Sequence, residues 1–507
     1  MTTFSAMSTW KKSITFFLAL CFVGLVIAGC SPNAPGSVEP TMPPASPTIE
    51  LVLEDTAEPG ITETSIPDSR SAPVETLPPM SRYSISAVLD YDAHMLQAEQ
   101  IVRYINSTET ELSEILFLVE PNRYPGGFSL DSFSWQTGEQ IADYNLNENE
   151  LLLPLPDPLL PGETIELNLA YSLILPNQNA PYGYTDRQTN LGDWYPYVPP
   201  YLPGEGWLVR PDAFLGEHLS YDMAEFEVEI QLAAAFSVDG GELIIAASSS
   251  PEFEDGVYRY QHAPARNFAW TVSDIYLQQE TMAGDVLVKS YSFPFHPQAD
   301  APALEETAKA VTIFSEIFEP YPHQALSVVE ADFLDGMEYD GLVFLSHAFY
   351  DYYTGDPQSN LTIIAAHEVA HQWWYGLVGN DQALEPWLDE ALSTISEVLF
   401  YEQAYPDLVG WWWDNRIYFH SPQGWVNSTI YEAEGFYPYR DAVYLRGALF
   451  LGELRELLGE EGFQEFLRDY LSLFRYRQVS EEDFFNLLSQ HTSDDISQLV
   501  SEYFAIR

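Results

Sequence analysis

The sequence predicts an α+β chain of two folded regions, an antiparallel β region followed by a mainly helical one. Three observations predict it. Short runs of period two extend from about Tyr83 to Leu277, the pattern of half-buried strands. Helical patterning begins near Ala303 and continues almost to the carboxyl end. With 507 residues, 46% hydrophobic and 14% aromatic, the chain is long enough to bury at least two cores.

The first thirty residues do not read as fold. Lys11 and Lys12 form a short positive region, Ser13 to Gly29 is apolar, and Ile27-Ala28-Gly29-Cys30 places small residues before a cysteine. Residues 1–30 therefore read as a signal peptide. The last four resemble a bacterial lipobox, which implies a lipid on Cys30 and extracytoplasmic anchoring to a bacterial cell membrane. A plain signal anchor is the alternative, because about seventeen apolar residues is near the lower limit for a span. Residues 31–80 are rich in Pro, Ser, Thr and Glu, as in Pro43-Pro44-Ala45-Ser46-Pro47-Thr48, and read as a disordered or extended tether.

The β region is placed at 81–290. Its strands alternate cleanly, as in Phe226-Glu227-Val228-Glu229-Ile230-Gln231-Leu232, and turn signals such as Pro161-Gly162 and Asp239-Gly240-Gly241 separate them. The helical region is placed at 291–507. It opens with a helix over 303–318, then a β run over 325–330, then Gly336-Met337-Glu338-Tyr339 and the apolar Leu342-Val343-Phe344-Leu345. An amphipathic helix from Ala442 to Leu458 should stop at Gly459. Ser480 with Asp483 resembles a capping box. The last helix is expected to end almost at the terminus and to leave no room for a third domain.

Only Cys21 and Cys30 are present. A mature chain could form no internal disulfide, and cysteine is excluded as a zinc ligand, which leaves His and carboxylates. The formal charge is −56, from 76 acidic against 20 basic residues. Such a surface repels nucleic acid and anionic headgroups, so membrane attachment would need the lipid. The charge reads either as a solvated extracellular surface or as a field attracting cationic substrates.

Residues 367–371 read His-Glu-Val-Ala-His, and eighteen residues separate His371 from Glu390. On a helix, positions i and i+4 share one face, so His367 and His371 can bind one ion. Glu368 is turned off that line and is free to act as a base. The flanks Ile363-Ile364-Ala365-Ala366 and Gln372-Trp373-Trp374 make the helix a buried one. A catalytic zinc needs three protein ligands and one open position, and His367, His371 and Glu390 supply the three for one Zn ion per chain. Cobalt or manganese could substitute, and a structural helix with two core histidines is the bland alternative. Glu390 should open a second helix, Pro386 to Tyr401. Glu397, two turns further, can accept the free N–H of a ligating histidine or be an ordinary paired Glu.

His-Glu-Val-Ala-His-Gln-Trp-Trp, followed by Trp387-Leu388-Asp389-Glu390-Ala391, resembles the aminopeptidase N-type zinc metallopeptidases, whose catalytic domain is thermolysin-like. Gly336-Met337-Glu338-Tyr339 resembles that family's substrate-binding segment. The resemblance implies that Glu338 binds the α-amino group of peptides with a free amino terminus, and that an edge strand takes up the peptide by β-augmentation. Tyr444-Leu445-Arg446-Gly447 resembles the element whose Tyr donates to the oxyanion. The likeness is strong over 325–450 and loose in the β region.

Departures from the family pattern are also present. Tyr339 stands where relatives have Asn, Asp335 where a flanking Gly is usual, and Arg446 where relatives have Lys. The chain is expected to lack the additional helical domain of many relatives, so an endopeptidase using the same centre is an alternative. Thr394, where a thermolysin-type enzyme would want Asp, counts against it. A non-enzymatic envelope lipoprotein is a third reading, opposed by an intact Glu368. Many relatives also bring a polar residue of the amino-terminal domain beside the amine, for which Asp193-Trp194-Tyr195-Pro196 is the nearest candidate. His94, His218, His262, His296, His323, His347, His420 and His491 share no ligand spacing and read as turn or surface histidines. Trp411-Trp412-Trp413 reads as helix packing rather than a ligand platform.

Overall fold

The period-two segments fold as a seven-stranded sheet built from β1 (Ser81–Asp90), β2 (Met95–Ile105), β3 (Phe128–Trp135), β4 (Thr164–Ile174), β5 (Ala224–Leu232), β6 (Glu252–Glu254) and β7 (Val257–Ala265). Their order across the sheet is β6-β7-β5-β1-β2-β4-β3. Every pair is antiparallel except β1 with β5, which run parallel. In β2 the alternation is strict: Leu96, Ala98, Gln100, Val102 and Tyr104 are buried and their neighbours face solvent, as a sheet with one wet face requires. The inward Gln100 is satisfied by donating to the Pro196 carbonyl and accepting from Tyr171. Smaller sheets over 112–159 and 182–273 complete this core. The structure, a computed structural model, describes residues 79–506 other than 203. The leader, Cys30 and nearly all of the 31–80 tether lie outside the described residues.

The second sheet comprises β8 (Leu277–Ala283), β9 (Val286–Ser292), β10 (Ala325–Ala331), β11 (Gly336–Tyr339) and β12 (Leu342–Ser346) in the order β8-β9-β10-β12-β11. Strands 277–292, assigned by pattern to the β region, thus pair with the sheet of the helical half, which begins before residue 291. β10 and β12 are buried at every position, which is why they read as continuous apolar runs rather than alternating ones. Gly336–Tyr339 is itself the edge strand, antiparallel to β12.

The helices are α1 (Asp300–Ile317), α2 (Asn360–Ala370), α3 (Trp387–Ala404), α4 (Arg446–Phe474) and α5 (Glu481–His491). α2 packs against α1, α3 and the edge strand β11. Residues 361–370 are all buried, the signature of a helix apolar all round. Its first turn is capped by Ser359, whose hydroxyl accepts from Thr362 N. α4 is entered through a π-helical turn, Asp441–Leu445. Gly459, at φ 71° and ψ 164°, breaks it and a second helical segment follows at once. Left-handed φ costs least at Gly. Ser480 and Asp483 form the reciprocal capping box, with Asp in place of Glu. Arg266, fully buried, donates to the carbonyls of Tyr221, Gly376 and Arg477, so one guanidinium ties the β region to the loop after α2 and to the segment that follows α4.

Glu330 in β10 is fully buried and accepts from Phe293 N at 2.7 Å. Burial pushes its carboxyl up to about 8, against the pull of that N–H, from the ordinary 4.5. The folded state therefore holds a proton that the unfolded chain releases. The linked stability is full below about 4.5 and is lost as pH rises through about 8. Thermal unfolding between pH 5 and 9 should show a Tm falling with pH, and Glu330→Gln should flatten that slope. An equal slope in the mutant would exclude Glu330 as its source.

Candidate metal centre

His367 lies one turn before the end of α2 and His371 at its C-cap, still with helical dihedrals and with its N–H on the His367 carbonyl. Their Nε2 atoms face each other at 3.1 Å. Glu390, in the first turn of α3, sets Oε2 3.2 Å from His367 Nε2 and 3.5 Å from His371 Nε2. All three side chains are buried. The opposite ring nitrogens are committed: His367 Nδ1 lies 2.9 Å from Glu397 Oε1, and His371 Nδ1 lies 3.1 Å from the Trp374 carbonyl.

This donor set fits a divalent cation. A tetrahedral zinc with bonds of 2.0–2.1 Å has ligand–ligand edges of about 3.3 Å, the spacing found here. Two imidazole nitrogens facing each other can share at most one proton, and the remaining lone pairs repel unless a cation lies between them. Glu338, Glu368 and Glu390 surround them. Burial alone would lower the His371 pKa, but Glu338, Glu390 and Glu368 raise it well above its ordinary value. The site therefore seeks positive charge. Burial raises the Glu390 carboxyl, yet the hydrogen bonds from His367 and His371 outweigh it and hold the group down to about 2.

Glu397 is the second carboxylate on this line. It is fully buried, accepts from Trp412 Nε1 at 2.9 Å and from Arg416 Nε and Nη2 at 3.0 and 2.8 Å, and so fixes the His367 ring. Trp412, the middle of the tryptophan triplet, is thus a core residue with one polar task.

Glu368 leaves α2 toward a cavity of about 260 Å³ that also exposes His367, His371, Glu390, Glu338 and Tyr444. Its Oε2 has no partner among the described residues. Burial raises its carboxyl well above the usual range, the His371 charge opposes this, and Glu338 and Asp335 add to it. A Cβ on Gly336 would collide with Glu368 Oε1, so the glycine lets the edge strand lie against the carboxylate. Gly336→Ala should push Glu368 aside and lower kcat by about 10²-fold, the scale of a misplacement of about 1 Å. Metal content measured alongside should be unchanged. Retention of full turnover would show that this contact does not position Glu368.

Glu338 on β11 is buried and accepts from Gln382 Nε2 at 3.2 Å; the same amide donates to Asp389 at 2.9 Å. Met337, on the opposite face of the strand, lines a neighbouring cavity instead. Asp335 has φ 78°, a left-handed position that Gly takes freely and Asp tolerates better than most residues. Tyr444, in the π-helical turn, donates to Glu390 Oε1 and stacks on His367 with ring centroids 5.9 Å apart.

Sequence reasoning missed Glu217. It lies on a loop of the β region and closes the cavity opposite Glu338 and Glu390. Burial pushes its carboxyl well up, and Glu338, Glu390 and Asp389 add to the effect. No local pattern marks it, because Gly216-Glu217-His218 is ordinary loop sequence. The Asp193 segment is not at the metal: Asp193 is held by Tyr221 and Tyr339 in the neighbouring cavity, and Trp194 and Tyr195 are core. His262 and His323 also depart from expectation. They meet Asp340 behind the edge strand, with His323 Nε2 2.8 Å from Asp340 Oδ1 and His262 Nε2 3.1 Å from the Asp340 carbonyl. Those are hydrogen-bond contacts, and they brace the segment after Tyr339. A larger groove, of about 1140 Å³, is lined by residues such as Trp413, Arg455 and Gln498 and shares none with the metal cavity.

Residues 302–503 match the peptidase family M1 domain. The chain is 24% identical to aminopeptidase N of Lactobacillus delbrueckii subsp. lactis over 307 residues, covering 55% of this chain and 36% of that protein. It is 29% identical to endoplasmic reticulum aminopeptidase 2 of Bos taurus over 238 residues, covering 44% of this chain and 25% of that protein. The chain therefore spans about a third or less of the length of these relatives. The fold is similar to that of an M1 zinc metallopeptidase from Deinococcus radiodurans, with TM-score 0.61 and 20% identity over 83% of this chain and 93% of that one. A point mutant of an M1 zinc metallopeptidase from the same organism, solved with a Tyr-Ser-Ala substrate, gives TM-score 0.60 at 20% identity over 83% and 92%. Residues 302–503 are thus a peptidase family M1 domain, and over that stretch the chain is similar to aminopeptidase N-type zinc metallopeptidases.

Proposed function

We propose that the chain removes amino-terminal residues from peptides by hydrolysis at a zinc centre held by His367, His371 and Glu390. The observation that carries this reading is the convergence of Glu338 and Glu217 on the space beside the three donor atoms. Two carboxylates there suit a substrate ammonium group. When bound, zinc supplies Lewis acidity that polarises a carbonyl and acidifies water. Glu368 accepts the proton of the attacking water and returns it to the leaving amine. Tyr444 turns its hydroxyl from Glu390 toward the developing oxyanion. Gly336 and Met337 offer the free edge of β11 to the peptide backbone. The Tyr-Ser-Ala substrate of the Deinococcus radiodurans protein, a tripeptide, is a ligand of the kind this arrangement accommodates.

The test is a panel of aminoacyl-fluorogenic amides and their acetylated counterparts, with and without chelator. Free amides should be cut, acetylated ones should not, and chelator should abolish turnover. Equal cleavage of an acetylated peptide would defeat the exopeptidase reading in favour of an endopeptidase.

The chain is further proposed to act outside the cell, held to a bacterial membrane by lipid on Cys30, with residues 31–80 as the tether. The support is the leader's sequence alone. A mature amino terminus whose mass equals lipidated Cys30 would agree; an uncleaved leader would overturn it.

A further inference from the structure

A second cavity, of about 300 Å³, adjoins the metal cavity and shares Gly216 and Glu217 with it. Met337, next in the strand to Glu338, forms part of its wall, as does Gln382, the hydrogen-bond partner of Glu338. Given the amino-terminal peptidase reading, on which this inference rests, the substrate amine lies at Glu338 and Glu217 and its carbonyl at the metal. The Cα of the first residue then lies between them, and its side chain enters this second cavity.

The lining has a definite chemistry. Tyr124, Tyr182, Tyr221, Tyr339 and Tyr375 present ring surface, Glu120, Asp193 and Glu217 present carboxylates, and His218 is the one basic side chain in the lining. Glu120 is already paired, with Arg123 Nε at 2.6 Å and His218 Nε2 at 3.8 Å. Asp193 is not. It accepts hydroxyls from Tyr221 and Tyr339, the latter at 2.8 Å, and no cation contacts it among the described residues. Gly192 is required beside it, because a Cβ there would collide with the Tyr339 hydroxyl. Tyr182 is 6% exposed and its hydroxyl has no partner among the described residues. A half-buried carboxylate with only neutral hydrogen-bond donors, an unused hydroxyl and tyrosine faces together suit a cation on a long apolar stem.

We propose that this cavity takes the side chain of an amino-terminal arginine or lysine, with its cation against Asp193 between tyrosine rings. Tyr339, which stands where the family has Asn, holds Asp193 in place together with Tyr221. An acidic first residue meets three carboxylates and is rejected.

The test compares charged and neutral partners on the zinc-loaded full chain: arginine against isosteric citrulline amides, and lysine against norleucine amides, whose side chain ends one heavy atom short of the ammonium. The kcat/KM ratio should favour the cation by on the order of tenfold in each pair, the scale of one desolvated cation–carboxylate contact. Asp193→Asn should bring both ratios toward one. Wild-type ratios at or below one, with norleucine amides turned over, would overturn this inference and leave the aminopeptidase reading intact. Unchanged ratios in Asp193→Asn would remove Asp193 from the assignment. If Asp193→Asn does not fold, the wild-type ratios decide. No turnover of any free-amine substrate would overturn the aminopeptidase reading and this inference with it.

Discussion

Glu368→Gln is expected to bind the metal as the parent does and to lose about 10³-fold in kcat, within the range for a positioned general base. The substitution is isosteric, so Gly336 still clears the side chain and His367 and His371 keep their positions on α2. What disappears is the ability to take a proton. Glu368 Oε2 is buried without a partner among the described residues, and nothing structural requires a carboxylate there. Its cost in isolation is a desolvated acid group, so the mutant should be no less stable than the parent. Metal stoichiometry, single-turnover kinetics and thermal unfolding check the three claims separately. A mutant retaining more than about a tenth of parental kcat would assign the base to another residue, while loss of metal would mean that Glu368 is itself a ligand.

Glu397→Ala should act on metal affinity and on stability, through different partners. Removing the acceptor of His367 Nδ1 frees the ring to rotate and should weaken metal binding by about 10–100-fold. The same change strands the Arg416 guanidinium, which is only 15% exposed and is ion-paired with Glu397. Breaking a buried pair on one side costs about 3–5 kcal/mol. The double mutant Glu397→Ala/Arg416→Ala should recover part of that stability and none of the metal affinity, since His367 is still unsupported. Chelator competition reads the first quantity and denaturant unfolding of the metal-free chain the second. If the double mutant recovered both together, Glu397 would be acting through overall stability and not through His367.

Much of the metal centre was legible because it is local. His367, Glu368 and His371 lie within five consecutive residues, and helical periodicity alone puts two on one face and turns the third away. Glu390 and Glu397 lie two turns apart on one helix, which again is periodicity. The β region was legible through alternation, as in Met95–Ile105. Continuous burial of Ala325–Ala331 gives no period, so that strand showed only as a short apolar run. The parallel pairing of Ser81–Asp90 with Ala224–Leu232 joins segments more than a hundred residues apart and leaves no mark in either.

The loop carboxylates on the β-region side of the cleft were not legible for the same reason. Glu217 and Asp193 come from loops of the β region, and their neighbours carry no pattern that distinguishes them from other acidic residues in a chain with 76 of them. Sequence by itself determined which three side chains share a helix-based donor set, because bond geometry along a helix repeats every few residues. Only the tertiary structure decided that Glu217, from a β-region loop, faces the donors and which tyrosines surround Asp193. Contacts between distant segments depend on how two cores fit together, and that fit is a property of the whole surface rather than of any short stretch.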